Sequence, residues 1–120
     1  MSDAVIITKT EEYEVKPATP ITLSVEIGEG QVGGTAVTWK NKIVGSGGDV
    51  TNLQIGKDNE DLRGTALDCT TTVKDVNPNT NNTSVTYTLK GGTQQRNYAY
   101  TAEVNVPEGR AIYSVTFVLE

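Results

Sequence analysis

The last quarter of the chain constrains the fold most. Tyr98, Tyr100, Ala102, Val104 and Val106 alternate with Asn97, Ala99, Thr101, Glu103 and Asn105. After Pro107-Glu108-Gly109-Arg110, the alternation resumes with Ala111, Tyr113, Val115, Phe117 and Leu119 against Ile112, Ser114, Thr116, Val118 and Glu120. Strand side chains point to opposite faces with a period of two, so the pattern describes two strands that share one buried face. The short Pro/Gly link between them predicts a hairpin. Tyr98, Tyr100, Tyr113 and Phe117 make its apolar face core. Its polar face (Asn97, Thr101, Glu103, Asn105, Ser114 and Thr116) is left for partners, with a free edge if Glu120 ends an outer strand.

The same period recurs upstream. Tyr13 and Val15 alternate with Glu12, Glu14 and Lys16 before Pro17 and Pro20 break the run. Ile21, Leu23, Val25 and Ile27 oppose Thr22, Ser24 and Glu26. Gly28 to Gly34 reads as a loop. Val37, Trp39, Asn41 and Ile43 then alternate with Ala36, Thr38, Lys40 and Lys42, which places both lysines on one strand face. Gly45-Ser46-Gly47-Gly48 reads as a turn, Val50 to Ile55 as a short strand, and Gly56 to Arg63 as a charged loop. Leu67, Cys69, Thr71 and Val73 form one face of a further strand, Val85, Tyr87 and Leu89 of another. Apolar spacing of three and four is absent, so no helix beyond a turn or two is expected. The expectation is an all-β chain: a single antiparallel β-sandwich of about 7–9 strands over residues 1–120.

At 120 residues the chain is near the commonest domain size and needs no staple. Its ten basic residues are scattered among fifteen acidic ones for a net charge of −5, which disfavours nucleic acid and anionic membrane surfaces. It has no apolar run for membrane insertion and no signal peptide, so it reads either as cytoplasmic or as an exported domain whose signal has been removed.

Thr35-Ala36-Val37-Thr38-Trp39-Lys40 resembles the third strand of immunoglobulin-like domains, where a Trp is buried between the sheets. Ala111-Ile112-Tyr113-Ser114-Val115 resembles the segment that carries their tyrosine corner, although here it lies on the last strand. The resemblance covers about a fifth of the chain by this reading of the family pattern and lacks both intersheet cysteines. It implies an immunoglobulin-like sandwich, with jelly-roll and C2-like sandwiches as alternatives.

The chemistry is defined by exclusion. With no His, there is no Ser-His-Asp or Cys-His nucleophile system and no imidazole metal ligand. Cys69 is the lone cysteine, lies on an apolar register and is expected in the core. Gly28-Glu29-Gly30-Gln31-Val32-Gly33 matches the dinucleotide fingerprint, but a strand follows it where a helix N-terminus is needed. Two clusters carry oxygen ligands suited to Ca²⁺: Asp58, Glu60 and Asp61, and Asp75, Asn77 and Asn79. In a C2-like sandwich such loops converge at one end. Solvated loop charge is the competing reading. Asp68 and Glu103 are the carboxylates available for glycosidase-like chemistry, which requires two flanking a cleft. All aromatics fall on apolar registers, which leaves none for a sugar-stacking platform.

No catalytic residue, cofactor or resident metal is therefore assigned, and no enzyme is expected. The expected function is a non-catalytic binding or structural module acting through protein–protein contacts, of the kind found in bacterial surface, secretion or phage-like assemblies. The alternative is a small-ligand module binding glycans or a Ca²⁺-dependent surface.

Overall fold

The structure, a computed structural model, describes residues 5–17, 19–57, 59–105 and 109–120. The alternating segments form nine strands among these residues: β1 (Val5–Tyr13), β2 (Ile21–Ile27), β3 (Val32–Trp39), β4 (Lys42–Gly47), β5 (Val50–Ile55), β6 (Ala66–Lys74), β7 (Asn82–Lys90), β8 (Arg96–Glu103) and β9 (Arg110–Leu119). One helical turn, α1 (Asn59–Leu62), interrupts the charged loop before β6 and buries Leu62. The strands form a five-stranded sheet in the order β1-β9-β6-β3-β4 and a four-stranded sheet in the order β5-β2-β7-β8.

The expected closing hairpin does not form. β8 pairs with β7 in the small sheet, and β9 pairs with β6 and β1 in the large one. The two strands do share a buried interior, but from opposite sheets. Phe117 of β9 packs between Tyr98 (centroids 5.1 Å apart) and Tyr87 (5.7 Å) of the small sheet. An alternating segment satisfies either arrangement, because both turn its apolar face inward. Val106, Pro107 and Glu108 of the link lie outside the described residues. Val104 N–H donates to the Asn81 carbonyl and Asp75 N–H to that of Gly109, which anchor the described ends of the link to the β6–β7 connection.

Three further expectations are corrected. The sandwich is not purely antiparallel, since β1 runs parallel to β9 from Val5–Ala111 to Tyr13–Leu119. The strand read through Asn41 and Ile43 instead turns back on itself. Lys40 and Asn41 adopt positive φ (52° and 62°), as the two central residues of a tight hairpin turn require, so Lys40 and Lys42 do not share a strand face. β3 also begins at Val32, inside the stretch read as a loop. Gly33 is needed there because a Cβ at this position would collide with the Thr72 carbonyl across the β3–β6 ladder.

The core lies between the sheets. Ile21, Leu23 and Val25 of β2 and Val85, Tyr87 and Leu89 of β7 face Leu67, Cys69 and Val73 of β6 and Tyr113, Val115, Phe117 and Leu119 of β9, all at most 1 % exposed. Each fully buried side chain of this size contributes roughly 1.5–3 kcal/mol relative to exposure. Polar groups that enter this layer are paired. The Thr83 hydroxyl donates to the Ala102 carbonyl (2.9 Å), which leaves the Tyr113 hydroxyl to donate to Thr83 Oγ1 (2.6 Å) across the sandwich. Tyr87, Thr71, Thr35 and the Gly48 carbonyl form a second crossing chain at 2.8, 3.0 and 3.4 Å. No buried side-chain polar atom among the described residues lacks a partner.

Candidate functional site

Every open sheet has two edges, and an edge strand presents unpaired backbone groups. Here the edges are β1 and β4 in the large sheet and β5 and β8 in the small one. The β3–β4 ladder shifts register between Val37 and Thr38, and the β2–β5 ladder between Leu23 and Val25, where Asn52 has φ 50°. Such bulges twist an edge away from further pairing. β8 and β1 instead keep unbroken register with β7 and β9, and of these two the longer is β1.

Within a strand, the N–H and C=O of alternate residues point to the same edge. The Tyr13 carbonyl accepts from Glu120 N–H at the β9 side (3.0 Å), so odd-numbered β1 residues face β9. The even-numbered ones face outward. Accordingly, the Glu12 carbonyl accepts from the Tyr98 hydroxyl of β8 (3.3 Å) and the Glu14 carbonyl from Thr93 N–H (3.1 Å). The backbone groups of Ile6, Thr8 and Thr10 point the same way, toward a side where no strand pairs.

The side chains around this edge are mixed. Val5, Ile7, Lys9 and Glu11 lie on the inner register, opposite Ala111, Tyr113, Val115 and Phe117. Val5 and Ile7 are half-buried, whereas Lys9 is exposed despite its inward register. The Glu11 carboxylate accepts the Tyr100 hydroxyl (2.5 Å), which clasps β8 to β1. Burial first, and then this carboxylate, push the Tyr100 hydroxyl well above its ordinary pKa. A cleft of about 470 Å³ opens along the seam, lined by Thr10, Glu11, Glu12, Arg96, Tyr98 and Val118. A second of about 250 Å³ continues it past Glu14 and Glu120. On the outer face, Ile6 is 67 % exposed.

The sequence-derived site residues do not converge. The loops holding Asp61 and Asp75 leave opposite ends of β6, a nine-residue strand that spans roughly 30 Å. Asp58 and the side chain of Glu60 lie outside the described residues. Asp61 Oδ2 accepts from Lys57 N–H (3.1 Å) within its own loop. Asp75 is buried and its Oδ1 accepts from Gln31 Nε2 (3.0 Å). Asn77 spends its side chain on the Asn79 N–H (3.0 Å) and the Glu29 carbonyl (2.9 Å). No group of three metal-ligating side chains gathers among the described residues. Asp68 and Glu103 stand exposed on β6 and β8, in different sheets.

The core reading of Cys69 holds: it is fully buried, and burial, with a smaller contribution from Asp68, pushes its thiol up to about 12. The glycine-rich fingerprint closes a tight turn, with Gln31 N–H donating to the Gly28 carbonyl (3.2 Å), and leads into β3. Tyr13, Tyr87, Tyr113 and Phe117 are buried. Trp39, Tyr98 and Tyr100 are half-buried against the core. Trp39 sits at the end of β3, where its Nε1 donates to Thr65 Oγ1 (2.9 Å) and Lys40 Nζ lies 4.5 Å from the ring centre. Gln31 escaped the sequence reading. It plugs one end of the sandwich, accepting from Val76 and Asn77 N–H (both 2.8 Å) and donating to Asp75 and to the Asn82 carbonyl (3.0 Å). A lone Gln in a Gly-rich loop gives no sequence signal of that role.

No helix of the described residues is long and apolar enough to cross a membrane. No family model, curated protein or solved structure matches this chain.

Proposed function

We propose that this protein is a non-catalytic binding or structural module that acts through protein–protein contacts, by accepting an extended segment along the free edge of β1. The observation that carries this reading is the outward-facing backbone of Ile6, Thr8 and Thr10 on a strand in unbroken register. Main-chain hydrogen bonds would supply affinity, and side chains on alternate positions would supply selectivity. Lys9 and Glu11 fit this role. Inward-pointing charges at an edge repel indiscriminate apolar strands and admit a partner whose charges match.

The sandwich itself is read as immunoglobulin-like in its β3-β6-β9 neighbours, which correspond to the C-F-G neighbours of that pattern. The β7–β8 hairpin inserted between β6 and β9, and the half-buried Trp39, depart from it.

The test is a photo-crosslinking residue in place of Thr8, used in the native organism with and without Thr10→Pro. Proline at Thr10 removes an N–H that points away from β9, so it blocks the edge without breaking the β1–β9 ladder. An adduct that Thr10→Pro abolishes is expected. No adduct, or one indifferent to the proline, rejects edge pairing.

A further inference from the structure

We infer that the occupant of the β1 edge is β1 of a second copy of this chain, paired antiparallel about a two-fold axis at Thr10. This inference rests on the edge-pairing reading above and adds the identity and register of the partner.

The register follows from side-chain chemistry. Two copies of one strand can pair about a two-fold axis only where residues with outward-facing backbone groups meet each other. That condition allows the axis to fall at any residue of β1; at Ile7 it sets Lys9 against Val5 and carries Glu11 past the end of the partner strand, which leaves Thr8, Lys9, Thr10 and Glu11 to compare. At Thr8 it sets Ile7 against Lys9 and Val5 against Glu11, which places an apolar group beside each charge. At Lys9 it stacks the two lysines, and at Glu11 the two glutamates. At Thr10 it sets Lys9 of each copy against Glu11 of the other, twice over. Direct cross-strand neighbours of opposite charge stabilise a pair, and like charges destabilise it. Only the Thr10 register sets Lys9 and Glu11 against each other.

The backbone agrees. In that register Thr10 pairs with Thr10, and Thr8 with Glu12, through groups that face outward. The Glu12 carbonyl already accepts the Tyr98 hydroxyl, but a carbonyl oxygen has two lone pairs and takes a second donor. Lys9 is exposed, so its side chain can reach across the junction. The product joins the two large sheets into one sheet running through both copies. A contact confined to one strand edge buries less than the about 1,600 Å² of a standard stable interface, so the dimer is expected to be weak and concentration-dependent.

Sedimentation velocity over a concentration series decides the matter. The wild type should show a monomer–dimer equilibrium, and Thr10→Pro should abolish it. Lys9→Glu replaces two matched pairs by two like-charge pairs and should raise the dissociation constant about tenfold or more. Glu11→Lys should do the same. An equimolar mixture of the two single variants restores opposite charges at both crossings and should recover dimers, which also shows that each variant is folded. A wild type that stays monomeric at its solubility limit overturns the inference, as does a dimer indifferent to Lys9→Glu and Thr10→Pro. If the wild type is monomeric while the Thr8 crosslink to another protein persists, the second copy is excluded and edge pairing stands. If both are absent, both readings fall.

Discussion

The hydroxyl of Tyr113 on β9 donates across the sandwich to Thr83 Oγ1 on β7, 2.6 Å away, and Thr83 in turn donates to the Ala102 carbonyl of β8. One buried threonine thus joins three strands of the two sheets. The consequences of breaking this relay are unequal. Tyr113→Phe leaves Thr83 its carbonyl acceptor and should cost about 1 kcal/mol, the net value of an ordinary hydrogen bond. Thr83→Val removes the side-chain partner of the tyrosine hydroxyl in the core and should cost more, roughly 1–3 kcal/mol. The double variant should cost less than the sum of the two. Urea unfolding of the three variants checks the order, and equal costs for the singles would refute the assigned donor direction.

Gln31 satisfies the backbone donors of Val76 and Asn77 with one side-chain oxygen. Gln31→Leu keeps the volume and removes that acceptor, leaving two donors to find water or stay unpaired, at about 2–4 kcal/mol for the pair. Amide exchange read residue by residue should show Val76 and Asn77 losing protection first. Unchanged protection there would mean that the glutamine merely fills space.

Stability should fall steeply in alkali. Burial raises the hydroxyls of Tyr13, Tyr87, Tyr100 and Tyr113 above their ordinary value of 10.0, and the Cys69 thiol from 9.0 to about 12. The unfolded chain therefore releases these protons at lower pH than the folded one does. In that range the folded state binds more protons, so unfolding free energy decreases as pH rises. The contribution is complete below pH 9, is lost from Cys69 first, and is lost from the tyrosines once pH passes 10. Thermal melts between pH 7 and 11 should show a flat Tm followed by a decline, and Tyr87→Phe should shrink that decline.

Calcium should leave the melting temperature unchanged at millimolar concentration. Asp75 is buried on Gln31, and Asn77 holds its own turn, so binding would first have to dismantle these contacts. A rise in Tm with Ca²⁺ that a chelator reverses would show that the loop rearranges to take the ion.

Register was the most legible property of the sequence. The in-and-out pattern of β2, β6, β7 and β9 matches the burial of their side chains position by position. The alternation around Tyr13 and Val15 marks only the end of β1, which spans Val5–Tyr13. Its Lys9 and Glu11 break the apolar alternation between Ile7 and Tyr13, because an edge strand need not bury every position of its inner face. The candidate site lies on that strand, and a partner-accepting edge leaves little trace in hydrophobic period.

The sequence by itself determined an all-β chain, the faces of most strands, the core place of Cys69, Tyr13, Tyr87 and Tyr113, and the absence of imidazole chemistry. These depend on side-chain type and a two-residue period, which are local properties. Only the tertiary structure decided which strands neighbour each other. It sent β8 and β9 to opposite sheets, set β1 parallel to β9, and placed the two acidic loops at opposite ends of β6. Pairing is a long-range choice among segments of equal pattern. It is settled by how the whole set of inward faces packs together, as where Phe117 fits between Tyr87 and Tyr98, and no short window of sequence contains that information.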